Sequence, residues 1–239
     1  MEGHQSALIF ALGHMTIEGK ATMSLLFVLS LLSWAVIFSK WIAVVRQRRA
    51  MRRFNAIYGE LEDSLSLDVD ARAISAAPAL TVYEAAREEV ERQRARGGRA
   101  LSERNLPSLR AVLENAVNTE SLSLESGTIV LAMAISGGPF IGLTGTVFGV
   151  METFSGVAQA GQANLSAMAP GVAGALVNTI VGLVVAIPAL FAYNLITKGI
   201  QGIQVGLQGF AGDLEARIIA EHYGDGRTER ESPKLAATH

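Results

Sequence analysis

Three stretches almost free of charge constrain this chain more than any other feature. They run from about Met23 to Val45, from Ile129 to Val157 and from Ala169 to Ile196. At ~1.5 Å rise per residue, each is long enough as a helix to cross a ~30 Å hydrocarbon core. A backbone in lipid must satisfy its own polar groups, and the helix does so within one segment. The expected fold class is therefore all-α, a membrane protein with three transmembrane helices. Half the residues are hydrophobic and only 18% are charged, an excess over soluble domains.

The formal net charge of -2 hides strong segregation. Most arginines sit between the first and second stretches, where they alternate with glutamates. That alternation describes solvated helix faces and no basic nucleic-acid surface. The chain has no cysteine, which excludes disulfides, thiolate metal sites and cysteine nucleophiles. No metal site, cofactor or enzymatic activity is expected.

Arg46, Arg48, Arg49, Arg52 and Arg53 directly follow the first stretch. The positive-inside rule puts them in the cytoplasm, so the N-terminus faces out and the C-terminus in. Trp34 and Trp41 suit an interface, and Lys40 can snorkel. The N-terminus lacks a basic region, so this is no cleavable signal. The expected organisation is an external segment 1–22, span 23–45, a cytoplasmic helical domain 46–128, span 129–157, an external link 158–168, span 169–196, a cytoplasmic helix extension 197–223 and a flexible tail 224–239.

Within the insertion, Leu106, Leu109, Leu113, Ala116, Val117 and Leu124 recur at helical spacing. Pro107 suits a first turn, and Gly97-Gly98 marks a loop before it. This helix is expected to run unbroken into the second span. Ile203, Leu207, Phe210, Leu214 and Ile218 likewise carry the third span's helix onward to about Glu221, so that both build a cytoplasmic bundle.

Several motifs fail on inspection. Gly13 to Thr22 faintly resembles a phosphate loop, but it has one residue too many between its glycines and Ala21 where a hydroxyl must bind magnesium. His4 and His14 lack partners at metal spacing, and His222 and His239 sit near or in the tail, so all four read as solvated histidines. Ser136 has no base near it in sequence and reads as a packing serine.

The polar and small residues inside the spans carry more information. Gly138, Gly142, Gly145 and Gly149 are spaced by four, three and four, so they share one helix face. Gly171, Ala175, Asn178, Gly182 and Ala186 do the same on the third span. Such faces let two backbones approach closely, which is a sufficient reading of the glycines by itself. Thr146 and Thr179 lie near mid-span on antiparallel helices and can meet at similar depth, beside Asn178. Each hydroxyl can instead bond the preceding turn of its own helix. Glu152 is the one acid in these two spans, ~9 Å outward of Thr146. It is a functional candidate or a side chain snorkelling to the interface. Pro170 and Pro188 are expected to set the third helix's start and a bend.

The runs Gly142-Leu-Thr-Gly-Thr-Val-Phe-Gly-Val-Met151 and Ala169-Pro-Gly-Val-Ala-Gly-Ala-Leu-Val-Asn-Thr-Ile-Val-Gly-Leu-Val-Val-Ala-Ile-Pro-Ala-Leu-Phe-Ala-Tyr-Asn194 strongly resemble the ExbB/TolQ proteins, relatives of the flagellar stator protein MotA. The three-span layout matches as well. The resemblance implies a motor subunit of the bacterial inner membrane, its N-terminus periplasmic. It implies a homo-pentamer around two copies of an ExbD/TolR-like single-span partner whose membrane aspartate carries the proton. Thr146 and Thr179 would line that path with Asn178 and Glu152, and Gly138, Gly142, Gly145, Gly149, Gly171, Gly174 and Gly182 would form the packing and pore faces. Work would pass to a TonB-like or TolA-like protein. The resemblance implies an ExbB-like role in TonB-dependent transport, with a TolQ-like envelope role or a non-conducting scaffold as alternatives.

One position departs from the family pattern. Those proteins usually carry a glutamate where this chain has Gly174, five residues outward of Thr179. Glu152 is expected to supply the carboxylate from the facing helix at the same depth.

Overall fold

The computed structural model describes residues 13, 16–67, 75–97, 105–161 and 165–223. His4, His14, His239, Gly98 and the tail 224–239 lie outside them. The described residues form five principal helices and no strand: α1 (Ile17–Gly59), α2 (Pro78–Gly97), α3 (Leu106–Glu125), α4 (Ile129–Ala160) and α5 (Leu165–His222). Among the described residues three helical stretches are long and apolar enough to cross a membrane: α1, Leu106–Ala160, and Met168–His222 within α5. Packing divides the chain into two units, one of Met1–Ala43 with Ser126–Lys198 and one of Val44–Glu125 with Gly199–His239.

The first unit carries most of the outward apolar surface. Phe27, Leu31, Phe38, Phe140, Val147, Val184 and Phe191 are all more than half exposed, as lipid-facing side chains would be. Small residues line much of its interior beside Leu26, Leu131 and Ile196. Gly138, Gly142, Gly145 and Gly149 are buried along α4, and Gly174, Ala175, Asn178, Gly182 and Ala186 along α5. Thr16 caps α1, its Oγ1 accepting the Gly19 amide at 3.1 Å.

The second unit has an ordinary apolar core. Phe54 and Tyr58 of α1 meet Tyr83 of α2 and Phe210 of α5, with ring centroids 5.0–6.4 Å apart. Leu109, Leu113 and Val117 of α3 and Leu207, Leu214 and Ile218 of α5 complete it. The stripes read from sequence are thus the buried faces. Arg217 closes the end of α1: it donates to the carbonyls of Tyr58 at 3.3 Å and Leu61 at 2.6 Å, with its guanidinium 4.8 Å from the Tyr58 ring centroid. Burial pushes the Tyr58 phenol up to about 12 despite that arginine.

A carboxylate is also buried in this unit. Glu89 Oε1 accepts from Gln93 Nε2 at 2.9 Å and from the Ser108 hydroxyl at 2.7 Å, and Arg92 reaches Oε2 at 3.0 Å. The Tyr223 hydroxyl donates to Gln93 Oε1 at 2.7 Å. The network ties α2, α3 and the chain beyond α5 together.

One expectation needs correction. α3 does not run unbroken into α4. A turn at residues 126–128 separates them, with Gly127 at φ 76°. Glycine accepts that left-handed conformation without a Cβ clash. The other continuation, through α5 to His222, is uninterrupted. Pro107 is the second residue of α3, as expected. Pro170 lies in the second turn of α5 and Pro188 well inside it.

Candidate functional site

The site lies where α4 and α5 of the first unit cross on their glycine faces. Antiparallel register sets its levels. A Cβ added at Gly138 would stand 3.0 Å from the Gly182 carbonyl oxygen, and one at Gly142 would stand 2.6 Å from the Asn178 carbonyl oxygen. At Gly149 it would meet the Ala175 methyl at 2.8 Å. The neighbours at the first two positions are backbone atoms that cannot swing aside. Glycine is required at Gly142 and gives the tightest fit at Gly138, so that the two helices touch main chain to main chain.

This approach brings the threonines together. Thr146 Oγ1 and Thr179 Oγ1 lie 2.5 Å apart. Thr146 Oγ1 also faces the carbonyls of Gly142 at 3.0 Å, one turn back on its own helix, and of Ala175 at 3.2 Å on the other. Both modes read from sequence therefore coexist at Thr146. Both residues are half-buried, between the closed helix interface and the open flank.

Asn178 is placed differently. It is 1% exposed, and among the described residues its side chain has no hydrogen-bond partner, either threonine included. Its amide lies over Gly145, where an added Cβ would be 2.7 Å from Asn178 Nδ2 and 2.5 Å from Thr22 Oγ1 of α1. An amide buried without partners costs about 2–7 kcal/mol, depending on the reference state.

Glu152 is exposed on α4 and lines an open cleft of about 310 Å³ with Thr16, Thr153, Gly156, Val157, Ala160 and Gly171. Thr153 packs against Gly171, which places Glu152 near that level. Gly174 is buried and sits beside the Gly149–Ala175 contact. The register thus separates Glu152 from Gly174 by about two residues, or ~3 Å along the axis. The two positions also differ in exposure.

Sequence reasoning passed over Thr22 and Ser33. Ser33 is 3% exposed on α1. Gly19, Thr22, Leu26 and Ser33 are spaced by three, four and seven, so the small and polar Gly19, Thr22 and Ser33 share one face of the first span with the buried Leu26. That spacing was the available signal.

The fold and this crossing define a class: an all-helical membrane protein whose helices pack through glycine around buried and half-buried hydroxyls. The model of the MotA/TolQ/ExbB proton channel family matches residues 83–208. The biopolymer transport protein ExbB of Salmonella typhimurium is 34% identical over 211 residues, covering 86% of this chain and 82% of that protein. ExbB of Pseudomonas putida is 30% identical over 222 residues, 90% of this chain and 64% of that protein. The Tol-Pal system protein TolQ of Haemophilus influenzae is 38% identical over 109 residues, 46% of this chain and 48% of that protein. The chain belongs to the MotA/TolQ/ExbB proton channel family.

Proposed function

We propose that the chain is an ExbB-like subunit of an ion-driven motor in the bacterial inner membrane. It would assemble as a homo-pentamer around two copies of an ExbD/TolR-like single-span partner. The partner's membrane aspartate would carry protons past the Thr146–Thr179 pair. The similarity to ExbB over most of the chain favours work delivered to a TonB-like protein for transport of biopolymers across the outer membrane. A TolQ-like role in the envelope, acting on a TolA-like protein, is the second reading, favoured by the match to TolQ. In either reading residues 46–128 and 197–223 would be cytoplasmic, which the arginines after the first span favour.

The hydroxyl pair carries the proposal. A carboxylate in lipid is costly, and a flank of apolar side chains alone would offer it nothing. Two paired hydroxyls at one depth lower that cost, while a protonated aspartate can slide past apolar surface. A potential of 100 mV supplies ~2.3 kcal/mol per charge to bias each step. Glu152, in its cleft beyond the threonines, would draw cations toward the path and so stand in for the glutamate that relatives carry at the Gly174 position.

The test is proton flux into proteoliposomes holding the full chain with its single-span partner. Flux that depends on both proteins and collapses in Thr146→Val supports the motor. An assembled complex with no flux in the unaltered protein leaves a non-conducting scaffold.

A further inference from the structure

We infer that Asp63, Glu221 and His222 form a binding site for a divalent transition-metal ion such as Zn²⁺ in the second unit. Folding brings Asp63, which follows α1, against Glu221 and His222 at the end of α5. His222, read from sequence as solvated, has a side chain only 15% exposed. Its Nε2 is shielded from solvent and has no hydrogen-bond partner among the described residues. That nitrogen faces Asp63 Oδ1 at 3.6 Å and Glu221 Oε2 at 3.9 Å.

These separations point to an ion between the groups. An N–H···O bond spans about 2.7–3.2 Å, so neither carboxylate satisfies the ring nitrogen directly. Two ligands of one tetrahedral ion, with bonds of about 2.0–2.1 Å, stand about 3.3 Å apart. The three ligand atoms lie within 4.8 Å of one another. Neither carboxylate is fully buried, so small rotations close the set and water can take the fourth position. Both are already oriented by backbone amides: Leu65 donates to Asp63 Oδ1 at 2.9 Å and Ser64 to Glu221 Oε2 at 2.7 Å. The ligand types select the metal. An imidazole nitrogen beside two carboxylates suits ions such as Zn²⁺, whereas Mg²⁺ and Ca²⁺ favour shells of oxygen alone.

Two arginines bear on the site. Arg217 Nε stands 3.6 Å from Glu221 Oε1, the other oxygen of that carboxylate. Arg94 Nη2 donates to His222 Nδ1 at 3.3 Å. Arginine has no acceptor, so this contact puts the proton of the neutral ring on Nε2. An entering ion needs the Nε2 lone pair. The ring proton then belongs on Nδ1, and the exposed Arg94 must turn away. Arginine and metal thus compete for one imidazole. A bound ion would fasten the segment after α1 to the end of α5, whether or not the chain conducts protons.

The experiment is calorimetric titration of Zn²⁺ into the full, untagged, metal-stripped chain in detergent. Saturable binding in the micromolar range is expected. His222→Gln should weaken it at least tenfold and Asp63→Asn at least threefold. Arg94→Gln, which removes the competing donor and its charge, should tighten it at least threefold. If His222→Gln does not fold, the exposed positions Asp63 and Arg94 decide alone. Undiminished binding in His222→Gln would put the ion on His4, His14 or His239 and overturn the inference. So would no saturable binding in the unaltered protein, undiminished binding in Asp63→Asn, or no gain in Arg94→Gln.

Discussion

Thr146 and Thr179 face each other across the α4–α5 crossing with their hydroxyl oxygens 2.5 Å apart. They meet because Gly142, Gly145 and Gly182 remove the side chains that would keep the helices apart. The polar contact is thus a consequence of the glycine contact.

Replacing either threonine by valine keeps shape and removes the hydroxyl. Thr146→Val and Thr179→Val should each lower proton flux at least tenfold, a rise of about 1.4 kcal/mol or more in the barrier. The complex should still assemble, as read by size-exclusion chromatography in detergent. Thr146→Ser should retain most of the flux. Loss of assembly with the valines would instead make the pair a packing feature.

The glycines make a sharper structural prediction. Gly142→Ala drives a methyl against the Asn178 carbonyl and the Thr179 Cα, so the helices must separate. It should destabilise the protein by about 1–3 kcal/mol, measured by thermal or denaturant unfolding in detergent. Gly137 and Gly156 have nothing within 4 Å of an added Cβ. Alanine at either should be neutral or stabilise by up to about 1 kcal/mol, since it stiffens a helix.

Glu152 acts, in the proposal, through its charge at the entrance. Glu152→Gln should reduce flux about threefold to tenfold at low ionic strength and much less at high salt, because exposed charges are screened beyond ~10 Å at 0.1 M. Partner assembly should not change. An identical flux at low salt would sink the role given to this carboxylate.

Glu89 predicts a pH dependence of stability. Burial alone would push its carboxyl up, but hydrogen bonds from Gln93 and Ser108 and the charges of Arg92 and Arg96 hold it below the ordinary carboxylate value. The folded form therefore binds its proton less readily than the unfolded chain. Its contribution to stability is full above the unfolded value and is lost as pH falls through the lowered folded one. Unfolding temperature should drop with acid over that window, and Glu89→Gln should flatten the acid limb while lowering stability at neutral pH.

Much of this protein was legible in its sequence because lipid imposes a single solution on the backbone. Stretches such as 23–45 and 169–196 had to be helical, and the period of Ile203, Leu207, Phe210, Leu214 and Ile218 named the buried face of α5 in advance. The convergence of Thr146 and Thr179 followed from spacing on antiparallel helices. Spacing along one helix, however, carries no information about which neighbour a face meets. Asn178 sits one residue from Thr179, some 100° around the helix, and only packing decided that it turns inward to Gly145 and Thr22. Packing likewise decided that Glu152 and Gly174 stand at different levels, and backbone conformation at Gly127 decided that α3 stops before α4 begins. Helix and burial arise from local chemistry repeated along the chain; which side chains share a point depends on the register of separate helices, which exists only once they touch.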